Sequence, residues 1–131
     1  LLRDGSEQHR ALLPGVADGS IRCLGVAATE PDSGADMRHL KSSARRDGDD
    51  WIVDAQKVFI SLAAQTRLLL LLVQSAEGPT LFLLDRDEVG AHIELHPVDM
   101  VVNRLTTSLF IDGLRVPDAA RIGAPGQGLA C

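Results

Sequence analysis

The chain has 131 residues, 45% hydrophobic and 24% charged, which is typical of one globular domain and argues against a wholly disordered chain. Its formal net charge is −5 and its basic residues are scattered, so no nucleic-acid surface is expected, because phosphate binding needs clustered positive charge. The longest apolar run, Leu68–Val73, is far shorter than the ~20 residues of a membrane-spanning helix, so no membrane span is expected.

The first predicted element is a helix within residues 5–20, GSEQHRALLPGVADGS. Ser6 is a suitable N-cap, and Glu7 would lie in the positively charged first turn. Leu12 and Leu13 continue the helical pattern, and Pro14 would break it.

After Gly19 the pattern predicts strands. Short apolar or alternating runs are separated by turn residues at intervals of about ten, which is typical of an all-β sandwich or barrel. Gly48 would supply a hairpin turn, and Ala76–Gly78 would connect two later strands. The predicted strands, in chain order, are IRCLGVAAT, LKSSARRD, WIVDAQKVFIS, TRLLLLLVQS, PTLFLLDR, AHIELHPV and TTSLFIDGLRVP.

The strand within Thr66–Ser75 is apolar on both alternating faces, whereas an antiparallel sheet normally leaves one face polar. Its outer face should therefore be covered by other apolar residues. The N-terminal helix supplies part of this cover and the chain offers little else, so we expect the chain to belong to a larger protein.

Five separated segments resemble those of acyl-CoA dehydrogenases in order and in near-spacing: GSEQHRALLPGVADG, TEPDSGAD, RDGDDWIVDAQKVFIS, DGLRVP and GAPGQG. The resemblance implies that residues 1–20 end an N-terminal helical domain. Residues 21–122 would form the antiparallel β-barrel of the family's middle domain, and residues 123–131 would lead to a C-terminal helical domain. The implied activity is FAD-dependent oxidation of an acyl-CoA to the 2,3-enoyl-CoA. An electron-transferring flavoprotein and a homo- or hetero-oligomeric parent protein are the implied partners.

By the same resemblance, FAD would lie at the end of the first strand. The backbone of Val26 to Ala28 and the hydroxyl of Thr29 would face the flavin's pyrimidine edge, where fixed donors stabilise negative charge. Gly34 and Ala35 would lie near the pyrophosphate, since small side chains let backbone N–H groups approach an anion. Ala35 would also contact the substrate.

The second half of the implied FAD site is Phe59-Ile60-Ser61, where the family commonly has Trp-Ile-Thr. Phe59 keeps an apolar cover for the ring, and Ser61 keeps a hydroxyl donor for the nitrogen that accepts hydride. Taken alone, these positions have ordinary interpretations. Thr29–Asp36 would be a surface turn, Phe59 a core residue and Ser61 a solvated strand residue.

Several positions depart from the family's pattern. Ala35 replaces the usual Ser, Leu62 stands where Asn is frequent, and Ala55 stands where Gly is frequent. The stretch VDMVVNRLTTSLFIDG lacks the usual Gly after Met100. These departures leave open a second hypothesis, a non-catalytic partner subunit or degenerate homologue of the same fold. A third is a small apolar-ligand barrel unrelated to flavin.

No catalytic or metal-binding residue is assigned. The family's catalytic base is a Glu of the C-terminal helical bundle, and none of the chain's Glu residues lies in a matching segment. His92 and His96 have the spacing of a zinc pair only on a helix; on a strand they would be ~13 Å apart, too far to share one metal.

Cys23 lies in the first apolar run, so we expect a buried reduced thiol there, and Cys131 has no metal or redox spacing relative to it. The first residues show no basic leader with an apolar stretch, so no signal peptide is predicted. We therefore expect a soluble protein of the cytoplasm.

Overall fold

The structure, a computed structural model, describes residues 3–22, 25–101 and 105–131. The expectation for Cys23 lies outside these residues, as does part of the departing stretch that follows Met100. The helices are α1 (Glu7–Ala11), α2 (Leu13–Ala17) and α3 (Arg86–Val89), with 3₁₀ turns at Gly90–His92 and Asp118–Ala120. The strands are β1 (Gly25–Ala27), β2 (Ser43–Asp47), β3 (Asp50–Ser61), β4 (Leu68–Ser75), β5 (Gly78–Asp85), β6 (Ile93–Pro97), β7 (Thr106–Pro117) and β8 (Arg121–Ile122).

The strands form one sheet in the order β6-β7-β3-β2-β4-β5-β8, with β1 pairing β4. The mainly β, mainly antiparallel fold predicted from the sequence is confirmed. Two pairings are parallel, β1 with β4 and β2 with β4, and the second consists of the single pair Ser43↔Gln74. The sheet therefore has two parts, which we call the first half-sheet (β2, β3, β6, β7) and the second half-sheet (β1, β4, β5, β8).

The main core draws on both half-sheets. Trp51 of β3 meets Phe82 of β5 edge to face, with ring centroids 5.6 Å apart. From Val53 to Lys57 of β3 the buried residues alternate, as expected for a strand with one face in the core, whereas β4 buries residues of both parities. Burial of this apolar surface, at roughly 25 cal/mol per Å², is the main force that holds the half-sheets together.

The outer face of β4 is covered by apolar residues, as the sequence predicted, but the expectation that the chain offers little cover beyond the N-terminal helix is wrong. Leu68 and Leu83 form a cluster with Ile122, against which Leu12 and Val16 of the N-terminal segment pack. A second cluster, around Leu72, is made by residues of the β1–β2 loop: Ala28, Met37 and Leu40. Within the described residues, none of the helices combines the length and apolar character needed to cross a bilayer.

The N-terminal segment forms two short helices instead of one. The predicted cap is confirmed, since the Ser6 hydroxyl accepts from His9 N–H at 3.3 Å and the His9 ring accepts from Ser6 N–H at 3.2 Å. The predicted role of Pro14 is wrong. Pro14 lies in the first turn of α2, where a missing N–H leaves no helical bond unmade, so it helps to begin the second helix.

Two glycines account for sharp features of the sheet. Gly48 has φ 64° in the β2–β3 hairpin, which confirms the predicted turn. Gly113 has φ 62° in β7, at a shift of register relative to β3, and its N–H donates to the Asp54 carboxylate at 2.7 Å. The DGLRVP motif therefore includes a bulge that needs a residue able to take a positive φ.

A polar cluster lies where β3 approaches the end of β7. The Asp118 carboxylate accepts from Trp51 Nε1 at 2.8 Å and from two guanidinium nitrogens of Arg121, each at 2.9 Å. The guanidinium of Arg46 lies 4.3 Å from the centroid of the Trp51 ring. The hydrogen bonds from Arg121, assisted by that from Trp51, lower the pKa of Asp118 to about 2.

The depressed pKa of Asp118 predicts acid-sensitive stability. Because the folded pKa lies below the ordinary value of 3.8, this stabilisation is present above about pH 4 and is lost as the pH falls toward about 2. We expect Asp118→Asn to lower the urea midpoint at pH 7 and to differ progressively less from wild type as the pH falls from 4 to 2. A difference that stays constant over this window would contradict the assignment.

Candidate cofactor site

The chain segments that follow β1 and end β3 lie side by side. Val58 N–H of β3 donates to the carbonyl oxygen of Thr29 at 2.9 Å. Thr29, in the first part of the predicted site, is therefore next to Val58, the residue before Phe59–Ser61, although about thirty residues separate the two parts along the chain. They lie on different half-sheets, so the site spans the junction between them.

Phe59 lies in a β-bulge that turns its side chain outward. Lys57 pairs with Leu109 and Ile60 with Thr107, so β3 has one residue more than β7 over this interval. Phe59 has φ 56° and its side chain is 61% exposed, while Ile60 takes the buried position. The interpretation of Phe59, taken alone, as a core residue is therefore wrong. A large aromatic side chain held outward in a strained conformation is a feature that commonly marks a binding surface.

The other predicted residues near the strand ends differ in accessibility. Val26 is 54% exposed, Thr29 is half-buried and Ser61 is exposed. Ala28 and Ile60 are buried, so only their backbone groups remain to interact with a ligand. The surface thus offers two apolar side chains and two hydroxyl groups, a combination suited to a planar ring with a polar edge.

Gly34 and Ala35 lie farther along the β1–β2 loop, and both are exposed. A Cβ atom added at Gly34 would have no heavy atom within 4 Å, so the fold itself does not require glycine there. Ala35 lines a shallow groove of about 470 Å³ with Met37, Arg38 and Leu129. Both residues lie on the same β1–β2 loop as Thr29, but the described contacts do not join them to Phe59 or Ser61.

The β1–β2 loop is anchored by a buried ion pair that sequence reasoning missed. The Lys57 ammonium lies 2.7 Å from the Glu30 carboxylate, and the two side chains are 0% and 2% exposed. The same ammonium donates to the carbonyl oxygen of Ala28 at 3.2 Å. The sequence did indicate that Lys57 is buried, because it lies two residues after Ala55 and four after Val53 on β3. Strand alternation places all three side chains on the same inward face.

The Glu30 carboxylate also receives two backbone donors, Lys41 N–H at 2.6 Å and Ser42 N–H at 3.1 Å. We call Glu30, Lys57 and their backbone partners at residues 28, 41 and 42 the Glu30–Lys57 clamp. Burial alone would raise the pKa of Glu30, but the hydrogen bonds from Lys57, Ser42 and Lys41 outweigh it and hold that pKa below its ordinary value. Burial lowers the pKa of Lys57, and Glu30 offsets only part of this shift.

Other candidate sites are less well supported. A groove of about 500 Å³ is lined by residues such as Asp32, Asp54 and Asp112, and Thr29 and Ser61 do not line it. Among the residues that the structure describes, no group of three or more His, Cys, Asp or Glu side chains is placed to hold a metal ion.

The sequence profile of the family "Acyl-CoA dehydrogenase, middle domain" matches residues 25–112, which contain both segments of the site. The chain belongs to the acyl-CoA dehydrogenase family. The resemblance drawn from the five sequence segments is thereby confirmed, as is the fold that it implied.

Individual family members resemble nearly all of this chain. Acyl-CoA dehydrogenase FadE12 of Mycobacterium tuberculosis is 35% identical over 130 residues, which cover 95% of this chain and 33% of that protein. A glutaryl-CoA dehydrogenase from Mycobacterium smegmatis in complex with FADH2 superimposes with a TM-score of 0.84 at 28% identity, over 95% of this chain and 33% of that one. The ChsE4-ChsE5 complex from Mycobacterium tuberculosis gives 0.87 at 27% identity, over 97% and 34%. The chain spans about a third of the length of the curated relatives it matches.

The clamp predicts that the chain's two lysines contribute very differently to the free energy of unfolding. Lys57→Met leaves the Glu30 carboxylate buried without its cation and should reduce the free energy of unfolding by about 3–5 kcal/mol. Lys41→Met is the matched control, because the Lys41 side chain is exposed and its ion pair is with Asp32 at the surface. We expect little change from the control, since surface ion pairs contribute little. Urea unfolding of both variants measures the difference, and equal effects would contradict the described burial of the pair.

The turn after β3 yields a second prediction. Leu62 has φ 61°, a left-handed conformation that costs most L-residues about 1–2 kcal/mol and that Asn tolerates better. Leu62→Asn and Leu62→Ala both remove the half-buried leucine side chain, but only Asn suits the backbone. We expect the Asn variant to be more stable than the Ala variant by about 1 kcal/mol in urea unfolding. Equal stabilities would indicate that the turn carries no such strain.

Proposed function

We infer that this chain forms the flavin-seating wall of an FAD-dependent acyl-CoA dehydrogenase, which oxidises an acyl-CoA thioester to the 2,3-enoyl-CoA. The observation that carries this inference is the hydrogen bond from Val58 N–H to the Thr29 carbonyl oxygen, which brings Thr29 to the point where Phe59–Ser61 begins. Family membership supports the same reaction, and the Mycobacterium smegmatis relative in complex with FADH2 supports the cofactor.

The residues of the wall suit the demands of this chemistry. FAD, when bound, would supply the acceptor for the substrate's β-hydride. The hydroxyls of Thr29 and Ser61, with backbone groups between Val26 and Ala28, would hold the polar edge and stabilise negative charge with fixed dipoles. Phe59 and Val26 would cover apolar surface and exclude water. Gly34 and Ala35 would leave backbone N–H groups of the loop accessible to the pyrophosphate, and Ala35 would also face the substrate.

The proton acceptor of the reaction is proposed to come from outside this chain. Glu7, Glu77, Glu88 and Glu94 are exposed on the surface. Glu30 is buried and fully engaged in the clamp, with its pKa held low by the donors around it. A carboxylate in that state is a poor general base, since its conjugate acid forms only well below neutral pH.

The proposed partners follow from the family. The substrate would be an acyl-CoA, and electrons would pass to an electron-transferring flavoprotein. The parent protein is proposed to be a cytoplasmic homo- or hetero-oligomer. The relative solved as the ChsE4-ChsE5 complex supports association with a second chain.

A second candidate is a non-catalytic subunit of such a complex. It is favoured by Ala35, which lacks the hydroxyl that the family usually places at this exposed loop position. This version keeps the fold and the clamp but makes no productive contact with an acyl-CoA.

The experiment uses the protein that carries this chain, purified at full length and reconstituted with FAD. We expect the yellow absorbance of bound oxidised flavin and its bleaching when acyl-CoAs are added. Absorbance that no acyl-CoA bleaches would favour the non-catalytic subunit. Absence of bound FAD after reconstitution would overturn the proposed function.

Single hydroxyl deletions test the assigned roles. Thr29→Val and Ser61→Ala each remove one proposed donor to the flavin, and loss of one hydrogen bond should weaken FAD binding about two- to tenfold. Ser43→Ala, at another exposed strand serine, is the matched control and should leave the dissociation constant of FAD unchanged. Fluorescence titration of the apoprotein measures all three, and wild-type affinity in both site variants would refute the roles.

A further inference from the structure

The two parts of the proposed flavin wall belong to different half-sheets that share few hydrogen bonds. Thr29 follows β1, whose described pairing is with β4, whereas Phe59–Ser61 end β3. Between β2 and β4 the ladder consists of the pair Ser43↔Gln74, supported by a hydrogen bond from Gln74 N–H to Ser42 O at 2.9 Å. Apolar packing resists separation of the half-sheets but is non-directional. The relative position of the strand ends therefore needs directional contacts.

We propose that the Glu30–Lys57 pair is a positioning device, which fixes Thr29 relative to Phe59 and Ser61 so that both strand ends face one flavin. This inference rests on the proposed function. Lys57 contacts the residues on both sides of Thr29, the Ala28 carbonyl at 3.2 Å and the Glu30 carboxylate at 2.7 Å. Thr29 itself is held by the next residue of β3, since its carbonyl accepts from Val58 N–H at 2.9 Å. Three consecutive residues after β1 are thus joined to two consecutive residues of β3.

The same carboxylate holds the far end of the loop. Lys41 N–H and Ser42 N–H donate to the two oxygens of Glu30, and the Ser42 hydroxyl accepts from Gln56 N–H at 3.1 Å. Glu30 lies near the start of the loop that carries Gly34 and Ala35, and its carboxylate also binds the end of that loop. One side chain sets the position of both ends of the loop with respect to β3.

The chemistry of the pair favours positioning over stabilisation. Two charges are removed from water, and an apolar pair of similar volume is often as stable or more stable than a buried ion pair. The ion pair does fix the relative orientation of the segments it joins, because each charged group makes two or more hydrogen bonds with defined geometry. Neither side chain is exposed to a ligand, so Lys57 and Glu30 would act through Thr29, Phe59 and Ser61.

The test uses the full-length protein and the double substitution Lys57→Met with Glu30→Gln. Removing both charges avoids an unpaired buried ion, and Gln retains an oxygen for the backbone donors. We expect the double variant to bind FAD at least tenfold more weakly than wild type. We also expect the visible absorbance band of its bound flavin to be shifted, a change that loss of stability alone would not produce.

Two controls separate positioning from general destabilisation. Val116→Ala removes core packing beside Trp51, away from the clamp, and should lower the melting temperature of the apoprotein while changing the FAD dissociation constant less than twofold. Arg45→Met, at an exposed β2 residue outside the clamp, controls for the loss of a positive charge and should also leave that constant unchanged.

The outcomes are distinct. If the double variant binds FAD like wild type with an unshifted band, the positioning role is overturned. The positioning role is also overturned if Val116→Ala and the double variant lower the melting temperature by the same amount and weaken FAD binding by the same factor. If the double variant does not fold, the Glu30→Asp variant is used instead. It keeps both charges and shortens the carboxylate side chain by one methylene. Wild-type FAD affinity and an unshifted flavin spectrum in that variant would overturn the proposal. Failure of wild type itself to bind FAD would overturn the proposed function instead.

Discussion

One buried ion pair joins the two half-sheets of this domain where the chain passes from one to the other. Glu30 and Lys57 are almost completely buried, and their charges are balanced by each other and by backbone groups. Such a pair is costly to bury and becomes costlier if either partner is lost. The β1–β2 loop, the end of β3 and the approach of Thr29 to Val58 all depend on this contact.

Immediately after Lys57 the backbone takes conformations that most residues avoid. Phe59 and Leu62 both have positive φ values, and between them Ile60 is buried in the core. The strain at Phe59 is sustained because its neighbours are fixed on both sides, Val58 by Thr29 and Ile60 by the apolar interior. Local strain that is held by rigid surroundings is common where a protein must present a side chain in one orientation.

The periodic features of the fold were predictable from sequence, and the exceptions have physical causes. Alternation and turn residues located the strands and the Gly48 hairpin, because both are local properties. The bulge at Phe59 was not predictable from alternation, since it depends on the register with β7. Pro14 was misread because a proline is equally compatible with the end of one helix and the first turn of the next. The ordered family segments located the candidate site, but they did not reveal the clamp, whose partners Glu30 and Lys57 meet only in the folded chain.

The first and last described segments lie against each other. Gly123 N–H donates to the carbonyl oxygen of Asp4 at 3.0 Å, and the Arg3 guanidinium donates to the carbonyl oxygen of Ala130. The segments before and after the sheet therefore meet at one place on the domain. A domain with this property can be inserted into a surface loop of another protein without forcing the host's flanking segments apart.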